Sequence, residues 1–137
     1  MKLRYLLDTN ICIDLLKGAP EVLVARFSRC SVGQVAMSAI SYAELEFGAA
    51  VSPHPDQERA ALVALIEVVP VAPFDRAAGA AYAAIRKATR ERKTDALDKL
   101  IGAHAVALEA AVVTNNESDF ARYPGVVVEN WLTAQQV

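Results

Sequence analysis

Four acidic side chains occupy settings in which chemistry is worth asking about. Asp8 stands in Leu6-Leu7-Asp8-Thr9-Asn10, Glu44 in Tyr42-Ala43-Glu44-Leu45, Asp98 in Ala96-Leu97-Asp98-Lys99, and Asp119 a few residues after Asn115-Asn116. They are distant in the chain, so they act together only if the fold gathers them. Gathered, they would form an oxygen-rich pocket suited to a hard divalent cation. Each acid also has a quieter role open to it. Asp8 suits a helix cap, Glu44 a solvated helix face, Asp98 a first helical turn that favours an anion, and Asp119 the organisation of a loop. The histidines offer no competing chemistry. His104 follows Asp98 by six residues, which turns it away from that acid on a helix, and His54 lies between two prolines. Neither is paired with a Ser or Cys in a way that would support a nucleophilic triad. Arg86, Lys87, Arg90, Arg92 and Lys93 face one acid, Glu91. That stretch reads either as the solvated basic end of a helix or as a track for a nucleic-acid backbone.

The elements that must position these residues follow from the apolar pattern. The run over 3–7 predicts a buried strand leading into a helix capped by Asp8 or Thr9, which continues through Ile11, Ile13, Leu15 and Leu16 and stops at Gly18. Pro20 opens a second helix. Strands are predicted over 35–38, 68–71, 111–114 and 126–128, with helices starting at Ser41, over 56–67, over 77–92, and from Asp95 or Asp98 to Glu109. Asn115-Asn116 reads as a turn. Short strands without alternation, separated by helices, predict an α/β fold with a central parallel sheet covered by helices on both faces. In such sheets ligands bind beyond the carboxyl ends of the strands, which selects Asp8 and the turn after Thr114. The two turns become neighbours only if their strands are adjacent, and pattern alone does not give strand order.

With 137 residues, 54% hydrophobic and 22% charged, the chain reads as a single domain over 1–137 with ample core. No apolar run approaches the roughly 20 residues that span a bilayer, and the segment before Asp8 is too short for a secretory signal. Cys12 and Cys30 match neither a disulfide framework nor a zinc knuckle, so a reducing cytoplasm is the expected location. The net charge of −2 excludes a protein that coats nucleic acid non-specifically, and any such contact must be local.

Read together, four segments resemble one family. Leu6-Leu7-Asp8-Thr9-Asn10-Ile11-Cys12-Ile13 resembles the opening of the PIN-domain ribonucleases, specifically the VapC-type toxins of toxin–antitoxin pairs. Ser41-Tyr42-Ala43-Glu44-Leu45-Glu46-Phe47-Gly48 resembles the second motif, and Leu97-Asp98-Lys99-Leu100-Ile101-Gly102-Ala103-His104-Ala105 the third, usually an Asp followed by Leu-Ile-Ala-Ala. Val113-Thr114-Asn115-Asn116-Glu117-Ser118-Asp119-Phe120, with Pro124-Gly125 and Glu129-Asn130-Trp131 beyond it, resembles the fourth. The segments occur in the family's order and span nearly the whole chain.

The resemblance implies a PIN-like domain and a Mg²⁺- or Mn²⁺-dependent endoribonuclease. It assigns Asp8, Glu44 and Asp98 to metal binding and catalysis. Many relatives carry the fourth acid where this chain has Asn116; others carry it three residues later, at Asp119, which is preferred here with Asn116 as hydrogen-bonding support. Thr9 and Asn10 are candidates to orient the carboxylates, Ser38 or Ser41 less directly, while Arg86, Lys87 and Arg90 become candidate RNA contacts. Asp95 is a departure to watch, because it precedes Asp98 by three residues and can share its helix face. The implied partners are a VapB-like antitoxin, an RNA and a second copy of the chain in a homodimer. The opening motif resembles the branch that cuts initiator tRNA. Two other classes compete. A catalytically silent binding module of the same fold would not need three intact acids, and aspartyl-phosphate chemistry wants a second Asp where this chain has Asn10.

Overall fold

The computed structural model describes residues 2–133. Elements follow in the order β1 (Tyr5–Leu7), α1 (Thr9–Lys17), α2 (Glu21–Ser28), β2 (Val35–Ser38), α3 (Ala39–Ala50), α4 (Pro55–Val68), β3 (Val71–Ala72), α5 (Arg76–Ala88), α6 (Ala96–Leu108), β4 (Ala111–Val113), α7 (Glu117–Phe120) and β5 (Val128–Glu129). The strands form one five-stranded sheet in the order β3-β2-β1-β4-β5. Every pairing is parallel, with Leu7 opposite Met37 on one side and Val113 on the other.

Because successive strand residues face opposite ways, three-residue strands supply two cores. Tyr5, Leu7, Val35, Met37 and Val113 pack with Leu23, Leu45, Leu62 and Trp131 from the helices and C-terminal segment. Leu6, Ala36 and Val112 pack on the other face with Ile85, Ile101, Phe120 and Tyr123. The sheet is therefore covered on both sides, which explains why its strands are apolar throughout instead of alternating. Trp131 is buried, edge-to-face with Tyr5 at 5.0 Å, and its indole Nε1 donates to Glu129. Among the described residues no helix is long and apolar enough to cross a membrane.

Several boundaries differ from the sequence reading. The helix expected from Ser41 begins at Ala39, because Ser38 ends β2 and also caps α3, its Oγ accepting from the Ile40 amide at 3.1 Å. The strand expected over 68–71 lies at Val71–Ala72, since α4 runs through Val68 and Pro70 contributes only its carbonyl, which accepts from the Met37 amide. The strand expected over 126–128 is likewise displaced, to Val128–Glu129. The helix expected over 77–92 ends at Ala88. Thr89 leaves the helical conformation, and its hydroxyl donates back to the Ile85 carbonyl at 2.7 Å. Arg90, Arg92 and Lys93 therefore stand on a connection, not on a helix. The short α7 begins just after Asn115-Asn116, where only a turn was expected.

Candidate metal and nuclease site

The sheet order changes direction at β1. Chain extension from β1 proceeds outward through β2 and β3, whereas β4 returns on β1's other side. This is the switch point at which parallel α/β sheets open a crevice. Asp8 stands at the carboxyl end of β1, its amide donating to the Val113 carbonyl of β4 at 3.0 Å. Thr114 and Asn116 follow β4 directly, and the Asn116 amide donates to Thr114 Oγ1 at 2.9 Å. The adjacency left open by the sequence is thus present.

Asp8 is only 4% exposed and does two things at once. Its Oδ1 caps α1 by accepting from the Ile11 amide at 2.9 Å. It also lines an open cleft of about 400 Å³ with Thr9, Asn10, Glu44, Asp98 and Asn116. Burial raises the Asp8 pKa, and the neighbouring Thr114 hydroxyl and Ile11 amide pull it part of the way back. Glu44 is held across the cleft by α1: the Thr9 hydroxyl donates to Glu44 Oε1 at 2.8 Å. Thr9 Oγ1 also lies 3.0 Å from Ser41 Oγ. A hydroxyl has one proton, so with Glu44 taking that of Thr9, the buried Ser41 donates in turn. Ser38 is turned elsewhere, its Oγ 2.8 Å from Nδ1 of the buried His104. Burial lowers the His104 pKa, which keeps that ring neutral in the core beside Phe74.

Asp95 and Asp98, indistinguishable by spacing, have opposite environments. Asp95 is 8% exposed and surrounded by donors and cations. Tyr123 donates to its Oδ2 at 2.6 Å, Lys99 Nζ is 3.3 Å from Oδ1, and Arg92 Nε is 3.6 Å from Oδ2. Burial alone would raise its pKa, but the Tyr123 hydroxyl and Lys99 ammonium outweigh that and hold it below the ordinary value. Engaged in this way, Asp95 makes no side-chain cap for α6 despite its position. Gly102 permits the arrangement, since a Cβ there would lie 3.0 Å from Tyr123 Cδ2. The departure from the family's Leu-Ile-Ala-Ala thus makes room for the ring that reaches Asp95. The sequence reading missed Lys99 and Tyr123. Lys99 carried one local signal, its i,i+4 spacing from Asp95; Tyr123 carried none.

Asp98 has no such partner among the described residues. Burial, followed by the charges of Asp8, Asp119, Asp95 and Glu44, pushes its carboxyl up to about 6. A raised carboxyl binds its proton more tightly in the native than in the unfolded chain. Its contribution to stability is therefore fully present below the unfolded value and is lost as pH rises through about 6. Asp98→Asn should accordingly raise the melting temperature of chelator-treated protein at pH 7.5 and change it little at pH 4.5. An equal shift at both pH values would show that the carboxyl is not held up in this way.

Asp119 occupies a less central place than the other acids. It sits half-buried in α7, its Oδ1 3.7 Å from Arg92 Nη2, close enough for its charge to reach Asp98 but not among the residues lining the cleft. Asn116 does line it. Arg86 and Arg90 line a second cavity, and Lys87 lines neither. Among the described residues, no three Asp, Glu, His or Cys side chains converge into a preformed metal cage. The donor set nevertheless suits a hard cation that keeps most of its waters and takes one or two carboxylates directly, and the unneutralised Asp98 marks where positive charge is wanted.

Comparison with known proteins agrees with this geometry. Residues 5–126 match the PIN domain family. The chain is 32% identical over 131 residues to the tRNA(fMet)-specific endonuclease VapC of Shigella flexneri, covering 94% of this chain and 98% of that protein. The fold superposes on a chain of the DNA-bound VapBC complex of Salmonella typhimurium with a TM-score of 0.87 at 33% identity, covering 94% of this chain and 98% of that one. For VapBC-1 of nontypeable Haemophilus influenzae the TM-score is 0.84 at 32% identity, covering 96% and 100%. With acids from the other three motif segments within electrostatic reach of Asp98 at the switch point of a parallel sheet, and likeness along nearly its whole length, the chain belongs to the PIN-domain family, in its VapC group.

Proposed function

We propose that this protein is a Mg²⁺-dependent endoribonuclease, the toxin of a toxin–antitoxin pair, with Asp8, Glu44 and Asp98 as its metal-binding acids. The observation that carries the reading is the unpaired Asp98 carboxyl, pushed up to about 6 in a cleft it shares with Asp8 and Glu44. PIN-domain nucleases generally depend on a divalent metal. When bound, such an ion makes its water easier to deprotonate near neutral pH and stabilises charge on the phosphate. The chain's own contribution is orientation. The Asp8 backbone is tied to β4, the Thr9 hydroxyl, itself bonded to Ser41, holds Glu44, and the first turn of α6 brings Asp98 to the same cleft. Such supporting hydrogen bonds tune ligand geometry and typically matter by about 10–100-fold.

The substrate proposed from the related endonucleases is initiator tRNA, and the proposed protein partners are a VapB-like antitoxin and a second copy of the chain. An antitoxin helix has a groove available between α1, α3 and α4, lined by Leu16, Leu45, Ala49 and Leu62, with Phe47 exposed nearby on α3. The test is cleavage of initiator tRNA with Mg²⁺, after chelation, and after Mg²⁺ is restored. Loss and recovery of activity are expected, and cleavage that survives exhaustive chelation would overturn the metal reading.

The fourth position is tested separately. Asp119→Asn is expected to cost more activity than Asn116→Ala, because Asp119 adds negative charge at Asp98 whereas Asn116 adds only hydrogen-bonding capacity. Single-turnover rates for the two variants decide it, and the reverse order would move the fourth position to Asn116.

A further inference from the structure

The connection between α5 and α6 is more basic than the net charge of the chain suggests. Arg86, Arg90, Arg92, Lys93 and the buried Lys99 line a cavity of about 610 Å³ whose lining includes one acid, Asp95. That acid already serves Lys99 and Arg92. Among the described residues no carboxylate lies within ion-pairing distance of Arg86, Arg90 or Lys93. Three exposed cations therefore surround the cavity with their charge uncompensated.

They are also held in place. Lys99 Nζ donates to the Thr89 carbonyl at 2.9 Å and to that of Arg92, and the Arg92 amide donates to the Thr89 carbonyl at 3.0 Å. A buried ammonium thus closes the turn that presents Arg90 and Lys93, which lowers the entropy cost of bringing them to a ligand. Tyr82 lines the same cavity, with the Arg86 guanidinium 5.9 Å from its ring centre. Aromatic rings beside cations are the usual platform for unpaired bases. Finally, this cavity and the acidic cleft share Asp95 and Ala96 as a common wall. A strand reacting in the cleft passes its neighbouring phosphates across that wall.

We propose that the basic cavity is a metal-independent subsite for the RNA strand flanking the cleaved bond, with Arg86, Arg90 and Lys93 contacting phosphates and Tyr82 offering its ring to a base. The identity of the strand rests on the nuclease reading above, but the subsite requires neither metal nor an active carboxylate.

The test titrates a fluorescein-labelled single-stranded RNA in chelator, which suppresses turnover, and follows anisotropy across a salt series. Three proteins are compared: wild type, the variant Arg86→Gln/Arg90→Gln/Lys93→Gln, and an equal-charge control, Lys2→Gln/Arg29→Gln/Arg59→Gln. The cavity variant is expected to bind at least tenfold more weakly. Its slope of log affinity against log salt should be shallower by about 2, since each lost single-strand phosphate contact removes roughly 0.7. The control should stay within twofold of wild type. An unchanged slope in the cavity variant, or an equal loss in the control, overturns the proposal. With Mg²⁺ present, the loss should fall on KM more than on kcat, and a loss confined to kcat overturns it as well. The two readings fail separately. A wild type that binds RNA through the cavity yet cleaves none with any divalent metal refutes the nuclease and leaves the subsite standing; efficient cleavage indifferent to the cavity variant does the opposite.

Discussion

Asp8→Asn is expected to lower RNA cleavage by at least about 10²–10³-fold, the scale on which a preorganised charged or polar group contributes to a transition state, while the protein stays folded. The two halves of this expectation have separate physical sources. Activity falls because the substitution removes the most buried charge of the cleft, the one at the carboxyl end of the central strand. Folding survives because Asn caps a helix about as well as Asp and keeps the acceptor that Ile11 uses. Burial already disfavours the charged form of Asp8, so the neutral amide should leave the metal-free melting temperature equal or higher. The decisive comparison is single-turnover cleavage and thermal melting on the same preparations. Activity within tenfold of wild type in a folded variant would remove Asp8 from the site. Lost activity with a collapsed melt would assign the residue to capping alone.

Lys99→Met should produce the largest loss of stability, about 3 kcal/mol, the lower end of the range for breaking a buried ion pair. Lys99 and Asp95 are 4% and 8% exposed, so removing the ammonium strands a carboxylate away from water. The estimate sits at the low end because Tyr123 and Arg92 still face that carboxylate. The Thr89 and Arg92 carbonyls lose their donor at the same time, which should loosen the turn between α5 and α6. For a domain of this size the melting temperature should drop by roughly 10 °C. Adding Asp95→Asn to Lys99→Met should recover part of the loss, because it removes the stranded charge. The pH dependence has a definite sign. Asp95 is held below its ordinary value, so its contribution is present above the unfolded pKa of roughly 4 and is lost as pH falls through the lowered native value. Denaturant melts at pH 7 and pH 3 measure both effects. A loss under about 1 kcal/mol at pH 7 would mean that the pair contributes no more than a surface bridge.

Much of the fold was legible because its signals are local. The run before Asp8, the cap at Asp8 and the left-handed stop at Gly18 lie between positions 3 and 18, and β1 and α1 form where they were expected. Two of the misplaced boundaries also involve distant partners. The end of α5 depends partly on Lys99, ten residues beyond Thr89, and Ser38 serves β2 and α3 while also meeting His104, 66 residues away.

The site divides in the same way. Taken alone, the sequence determined the candidate acids, the strand ends that could display them, and a parallel α/β sheet, since each follows from residue type and spacing within a helical turn or a strand. Only the tertiary structure decided that β4 lies beside β1, bringing the turn after Thr114 against Asp8, and that Thr9 reaches Glu44 across 35 residues. It alone separated Asp95 from Asp98. The two stand three positions apart at the start of α6, yet Tyr123, 28 residues from Asp95, donates to it beside Lys99, whereas Asp98 is left among other carboxylates. Whether a carboxylate is a structural anion or a candidate metal ligand depends on its burial and on which charges surround it, and those surroundings arise only when distant segments pack.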